Sequence, residues 1–191
     1  MHVLYIHGFN SAGFGNKVDA WRERFGNHTV INPTLPAQPA AAMTLLRHLV
    51  EKLQAPDFCI MGSSLGGFYA LNLAKTFAVK TMLINAAVKD VARGLDYAKD
   101  PITNYKTDEL YHWTDEDFAA VRAMELTPED WAALRPHTFA YLDAEDEILP
   151  SPLIYDFFQS QGVYAKMFDG GDHRFQHMPE AIEDFLTQIS A

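Results

Sequence analysis

Asp57-Phe58-Cys59-Ile60-Met61-Gly62-Ser63-Ser64-Leu65-Gly66-Gly67-Phe68-Tyr69-Ala70-Leu71-Asn72-Leu73-Ala74 is the stretch on which the fold turns. Asp57 to Met61 is a strand-like run, and Phe68 to Ala74 is helix-like. Between them lies Gly62-x-Ser64-x-Gly66, the G-x-S-x-G pentapeptide, followed by Gly67. Strand, sharp turn and helix are the context of a nucleophile elbow. There a serine stands at the tip of a strained turn with its hydroxyl exposed. A non-glycine residue in such a turn is unfavourable, so its neighbours must be small. Gly62 and Gly66 remove side chains that would clash, and Gly67 is expected to let the helix pack close to the strand. A flexible Gly/Ser loop is the plain alternative, but a disordered linker does not lie between two apolar runs. Ser64 is therefore the candidate nucleophile.

A serine hydroxyl needs a base, and the base needs an orienting acid. After an elbow of this kind the chain order is Ser, acid, His, with the last two on loops after later strands. Phe168-Asp169-Gly170-Gly171-Asp172-His173-Arg174-Phe175 follows a strand-like run, 163–168, and precedes a helix-like run, 179–189. Its two glycines allow the loop to turn back towards Ser64. A neutral imidazole, with an ordinary pKa of ~6.5, suits proton removal near neutrality. His173 is the candidate base. The acid is sought in Phe139-Ala140-Tyr141-Leu142-Asp143-Ala144-Glu145-Asp146-Glu147-Ile148-Leu149-Pro150. A strand ends near Leu142, and four carboxylates follow. Asp146 is the candidate, because an acid two or three positions before a small apolar pair and a proline is the usual placement. Asp143, closest to the strand, is its rival. A solvated acidic loop is the plain reading of all four.

An acyl-transfer site also needs donors for an oxyanion. One is the N–H of the residue after the nucleophile, Leu65, and the other belongs to the loop after the first core strand. That loop is His7-Gly8-Phe9-Asn10-Ser11, directly after Met1–Ile6, and the N–H of Phe9 is the candidate. His7 reads as a structural ring that hydrogen-bonds neighbouring loops.

Three motifs carry a resemblance. Tyr5-Ile6-His7-Gly8-Phe9-Asn10-Ser11, Gly62-Ser63-Ser64-Leu65-Gly66-Gly67-Phe68-Tyr69-Ala70 and Gly170-Gly171-Asp172-His173-Arg174-Phe175 occur in this order. Together they resemble the YqiA/YcfP-type family of small bacterial α/β-hydrolases, and the similarity spans nearly the whole chain. The resemblance implies a single-domain serine esterase acting on acyl esters or thioesters. Two departures stand out. The first loop continues Ala12-Gly13-Phe14-Gly15-Asn16-Lys17, where a proline and more serines are expected. After the fourth strand stands Asn85-Ala86-Ala87-Val88 rather than an Asn-Pro pair.

At 191 residues the chain is expected to form one domain with a sizeable core. Its net charge of −10 is unevenly spread. Residues 1–85 carry seven basic and four acidic groups, 86–136 six and eleven, and 137–191 two and ten. This argues against nucleic acid or an anionic membrane as a partner. No apolar run approaches the ~20 residues that span a bilayer, so no membrane insertion is expected. The opening residues lack the pattern of a secretory signal. The one cysteine, Cys59, excludes an internal disulfide and fits a reducing, cytoplasmic compartment. In the strand leading to the elbow it reads as a packing residue.

The organisation is strands alternating with helices. Strands are expected near 2–6, 28–32, 57–61, 80–85, 137–142 and 163–168, and helices near 16–25, 38–54, 65–77, 151–161 and 179–189. The alternation implies an α/β fold, a six-stranded, mainly parallel sheet with helices on both faces. The first predicted strand already feeds the oxyanion loop, so the usual leading antiparallel hairpin is expected to be absent. A reduced α/β-hydrolase fold is therefore expected. Residues 86–136 interrupt the alternation before the fifth strand and form a short helical insertion. Thr114-Asp115-Glu116-Asp117 reads as a capping box starting a helix to about Leu126, and Thr127-Pro128-Glu129-Asp130 as a second. The insertion carries Tyr97, Tyr105, Tyr111, Trp113 and Trp131 where this fold places a lid. Either these aromatics line an acyl pocket or they pack the insertion's own core. In the first case Trp113→Ala or Tyr105→Ala changes chain-length preference more than stability.

His173-x-x-x-His177, with Asp169 and Asp172 nearby, has a spacing that also suits a metal. Pro179 places the helix start after His177, and no further His or Cys pair is visible, so no metal is expected. A non-catalytic binding module on the same fold usually lacks a triad member, and none is missing here. A peptidase would use the same triad. The expectation is a cytoplasmic hydrolase of small-molecule acyl esters or thioesters, with no cofactor and an oligomeric state left open.

Overall fold

The computed structural model describes residues 1–53 and 57–190. Strands β1 (His2–Ile6), β2 (Val30–Ile31), β3 (Phe58–Ser63) and β4 (Lys80–Ile84) come first. After them β5 (Ile102–Thr103) and β6 (Leu110–Tyr111) pair as a separate antiparallel hairpin, and β7 (Thr138–Asp143) and β8 (Tyr164–Phe168) follow. The main sheet has the order β2-β1-β3-β4-β7-β8, and every neighbouring pair in it is parallel. The register runs Leu4–Ile60–Thr81–Thr138 across its centre. Helices α1 (Asn16–Phe25), α2 (Pro39–Leu53) and α3 (Leu65–Phe77) join the first strands. Helices α4 (Val91–Gly94), α5 (Asp115–Arg122) and α6 (Pro128–Leu134) lie in the insertion, and α7 (Ser151–Ser160) and α8 (Met178–Ser190) complete the order.

The strands alternate between two apolar layers. Val3 and Tyr5 face Val18 and Trp21 of α1 and Ile182 and Phe185 of α8. Leu4 and Ile6 face Leu46 of α2, Phe68 and Leu71 of α3 and Phe158 of α7. Successive side chains of a strand point to opposite faces, so a sheet covered on both sides is apolar at most successive positions, with the small polar side chains of Thr81 and Thr138 buried among them. Full burial of one such side chain contributes about 1.5–3 kcal/mol. Because all six strands run one way, their C-terminal ends share one edge of the sheet. Open parallel sheets place their sites in that crevice.

The main-sheet elements lie within two residues of their expected positions; the last residue expected in α2, 54, is outside the described residues. The insertion differs. The helix expected to about Leu126 ends at Arg122. Residues 123–126 turn off through the bonds of Met124 N–H to Val121 and Glu125 N–H to Arg122. The second capping box then starts α6 afresh. Helix α4 and the β5–β6 hairpin had no sequence signal, being too short for a periodicity.

Candidate active site

Ser64 joins β3 to α3 with φ 54° and ψ −124°, a conformation rare for any residue with a side chain. Holding it costs on the order of 1–3 kcal/mol. The turn is held by its own backbone. Ser64 N–H donates to the carbonyls of Ile84 and Asn85, and its carbonyl accepts from Gly67 and Ala87 N–H. A Cβ on Gly62 would strike Gly66 and Ala70, and one on Gly66 would strike the carbonyls of Ile6 and His7. Gly67 differs from expectation. It makes room for Ala86 in the loop after β4 rather than for its own strand.

The structure brings Ser64, His173 and Asp146 together. His173 Nε2 lies 3.2 Å from Ser64 Oγ. His173 Nδ1 lies 2.8 Å from Asp146 Oδ2 and 2.9 Å from Oδ1. The Asp146 side chain is fully buried. Its Oδ1 also accepts the N–H groups of Ile148 and Leu149, each at 2.8 Å. A carboxylate only accepts, so Nδ1 carries the ring proton and Nε2 turns a lone pair to the serine. The rival Asp143 does not reach His173; it bonds His177 instead, at 2.6 Å. The His-x-x-x-His spacing thus serves two separate carboxylates.

Residues to which the sequence assigns no part in positioning His173 hold this loop. Glu147 Oε2 accepts the N–H of His173 at 2.9 Å. Asn85 Nδ2 donates to the Asp172 carbonyl, and Asn85 Oδ1 accepts the Asp143 N–H, both at 2.9 Å. From α1, Asn16 donates to the carbonyls of Arg174 and Phe175, and Lys17 Nζ donates to that of Arg174 at 2.7 Å. Lys17 is buried, and burial pulls its ammonium from 10.5 down to about 8, with Asp172 and Asp143 offsetting part of the fall. Between about pH 8 and 10.5 the unfolded chain therefore binds a proton that the folded chain has released, so this residue makes stability rise with pH. Stability of wild type minus that of Lys17→Met should increase by about 3 kcal/mol across this window. Urea unfolding of both proteins from pH 7 to 10.5 measures it, and a flat difference contradicts the burial argument.

The loop after β1 lies against Ser64. A Cβ on Gly8 would sit 3.0 Å from Ser64 Cβ. His7 Nδ1 donates to the Gly8 carbonyl at 2.8 Å, and Nε2 accepts the Leu35 N–H at 2.9 Å. Burial lowers its pKa and favours this neutral ring. Among the described residues neither Phe9 N–H nor Leu65 N–H is taken up by a loop hydrogen bond. The insertion braces this loop. Phe9 meets Tyr97, Tyr111 and Trp113 edge to face, with centroids 5.3–5.9 Å apart. Tyr111 donates to Asn10 and Asn104 to the Ser11 carbonyl.

Trp113 is 2% exposed, meets Phe118 edge to face and donates to the Ala37 carbonyl. Tyr105 is 64% exposed. For Trp113 this favours the core alternative. Trp113→Ala should cost about 3–5 kcal/mol, and Tyr105→Ala less than about 0.5. Thermal melts of the two variants check this ordering. A cavity of about 650 Å³ lies around Val88, Phe118, Trp131 and Phe157, and neither Ser64 nor His173 lines it.

The parallel sheet, the serine elbow after its third strand and the loops at its C-terminal edge define an α/β-hydrolase fold. Residues 2–189 match the model of the Uncharacterised protein family UPF0227, and the chain belongs to that family, the one that the three motifs resemble. Solved structures of the same fold include Est1E from Butyrivibrio proteoclasticus (17% identity over 99% of this chain and 88% of that one, TM-score 0.70). NosK from Streptomyces actuosus is similar at 17% identity over 100% and 99%, with TM-score 0.67. Tomato Methylketone Synthase I complexed with 2-tridecanone is similar at 14% over 99% and 96%, with TM-score 0.64. At these identities the likeness is one of fold. Among the described residues no helix is long and apolar enough to cross a membrane.

Proposed function

We propose that this protein is a serine hydrolase that cleaves small-molecule acyl esters or thioesters through an acyl-enzyme. The observation that carries the reading is the unbroken line from buried Asp146 through His173 to Ser64, with the serine at a strained elbow. Fold membership supports it, as does Est1E, a neighbour seen with ferulic acid bound.

Ser64 Oγ attacks the acyl carbonyl carbon as His173 Nε2 takes the hydroxyl proton. Asp146 holds the ring and stabilises the imidazolium. The carbonyl oxygen gathers negative charge, which the N–H groups of Phe9 and Leu65 stabilise. His173 then gives its proton to the departing alcohol or thiol as the C–O or C–S bond breaks. Water attacks the acylated Ser64, His173 takes the water's proton, and Ser64 leaves with it as the acid is released. The scheme calls on no cofactor. The lone buried thiol of Cys59, pushed up by burial, takes no part and suits a reducing, cytoplasmic setting.

A fluorophosphonate probe, followed by a chain-length series of esters and thioesters, tests the reading. Stoichiometric labelling at Ser64 together with turnover of at least one series is expected. An unlabelled, inactive wild type would point to a binding module on a hydrolase fold.

A further inference from the structure

The loop that carries His173 holds a second carboxylate–imidazole couple that the scheme above does not use. Asp143, the last residue of β7, is fully buried. Its Oδ1 accepts from His177 Nδ1 at 2.6 Å. Its Oδ2 accepts the N–H groups of Gln176 at 2.7 Å and Asp172 at 3.3 Å. Both oxygens of a buried charge are thus spent on residues that flank His173 on either side. Gly171 lies against the same carboxylate, where a Cβ would collide.

His177 is itself anchored. Its ring stacks on Phe168 of β8 at 4.8 Å and 7°, and its carbonyl accepts the Ala181 N–H in the first turn of α8. Asn85, Asn16 and Lys17 hold the carbonyls of the same loop. A buried carboxylate without donors is strongly destabilising, so Asp143 forces the loop to stay where its donors are.

We propose that the Asp143–His177 couple is a positioning device. It fixes residues 171–177 to the end of β7 and the start of α8, and so sets the place of His173 against Ser64. The proposal rests on the reading of Ser64 and His173 as nucleophile and base. Neither Asp143 nor His177 touches the reacting atoms. Asp146 aligns the ring, whereas Asp143 aligns the backbone that carries it. A misplacement of about 1 Å costs on the order of 10²-fold in rate.

His177→Phe keeps a flat ring on Phe168 and removes the donor. His177→Asn returns a donor, since its Nδ2 stands near the place of Nδ1. Asp143→Asn retains an acceptor for the backbone N–H groups, but its amide can face His177 only if that ring changes tautomer. Asp184→Asn is the control for lost stability alone. Its carboxylate joins Tyr141, Tyr164 and Lys166 on the far side of the sheet from the α3 layer. For each variant Tm, kcat and KM on p-nitrophenyl acetate and the rate of fluorophosphonate labelling are measured well below Tm.

His177→Phe should lower kcat and the labelling rate about 10- to 100-fold, with KM changed less than about twofold. His177→Asn should recover at least half of that loss on a logarithmic scale, and Asp184→Asn should lower Tm while keeping kcat. A lowered Tm for His177→Phe with kcat and labelling rate as in the wild type overturns the proposal. Should that variant fail to fold, Asp143→Asn carries the test, with about tenfold lower kcat expected and an unchanged kcat overturning it. A wild type that neither turns over nor labels sinks the hydrolase reading instead, so the two failures are distinct.

Discussion

Replacing Ser64 by Ala should abolish ester hydrolysis and probe labelling together. Where a serine nucleophile is removed from such a triad, kcat falls by about 10⁶-fold, and what remains comes from binding and oxyanion stabilisation. The fold should survive, because the substitution removes one hydroxyl and keeps the backbone bonds of the turn to Ile84, Asn85, Gly67 and Ala87. Ser63→Ala is the matched control. Ser63 ends β3 paired with Ile84 and is 5% exposed, so its hydroxyl is not presented at the crevice. It should keep most activity. Mass spectrometry of the labelled peptide, with initial rates for both variants, decides the matter. Labelling that persists in Ser64→Ala and is lost in Ser63→Ala would move the nucleophile by one residue.

Asp146→Asn should lower kcat by about 10⁴-fold with little change in Tm, through the tautomer of His173. The amide oxygen can keep the N–H groups of Ile148 and Leu149, which Oδ1 accepts now. Its NH₂ then stands where Oδ2 met His173 Nδ1. Two donors cannot face each other, so the ring puts its proton on Nε2 and turns an N–H towards Ser64. It can no longer take the hydroxyl proton. The measurement is kcat beside Tm for Asp146→Asn and Asp143→Asn. Asp143→Asn should lose much less, since it leaves the tautomer of His173 alone. A larger kcat loss for Asp143→Asn than for Asp146→Asn would reverse the roles of the two carboxylates.

The elements of the main sheet were legible because their signals are local. Short, mostly apolar runs such as Thr81-Met82-Leu83-Ile84, alternating with helix-like segments, read as strands buried on both faces. The elbow was legible because the steric demand of one strained serine falls on Gly62 and Gly66, two residues away on either side. The capping boxes at Thr114 and Thr127 are likewise contained within four residues each, and both form. The insertion was legible only in its helix starts. Its hairpin pairs two residues with two, too few for a pattern, and its aromatics look alike in sequence. Burial alone separates Trp113 in the core from Tyr105 at the surface.

The loop of four carboxylates shows where sequence ends. By itself the chain determined the alternating layers, the elbow at Ser64 and a histidine loop and an acidic loop after later strands. Asp143, Glu145, Asp146 and Glu147 offer the same chemistry within five positions. Which of them meets His173, 27 residues on, was for the tertiary structure to decide. It sends Asp146 to the ring, Glu147 to the backbone N–H of His173 and Asp143 to His177. It also set Asn85, Asn16 and Lys17 as the clamps of that loop and laid the insertion on Phe9. Periodicity and turn sterics act between neighbours in sequence, so one chain segment carries them. The direction of a side chain in a loop depends on donors brought from other strands and helices, and these meet only when the sheet has assembled.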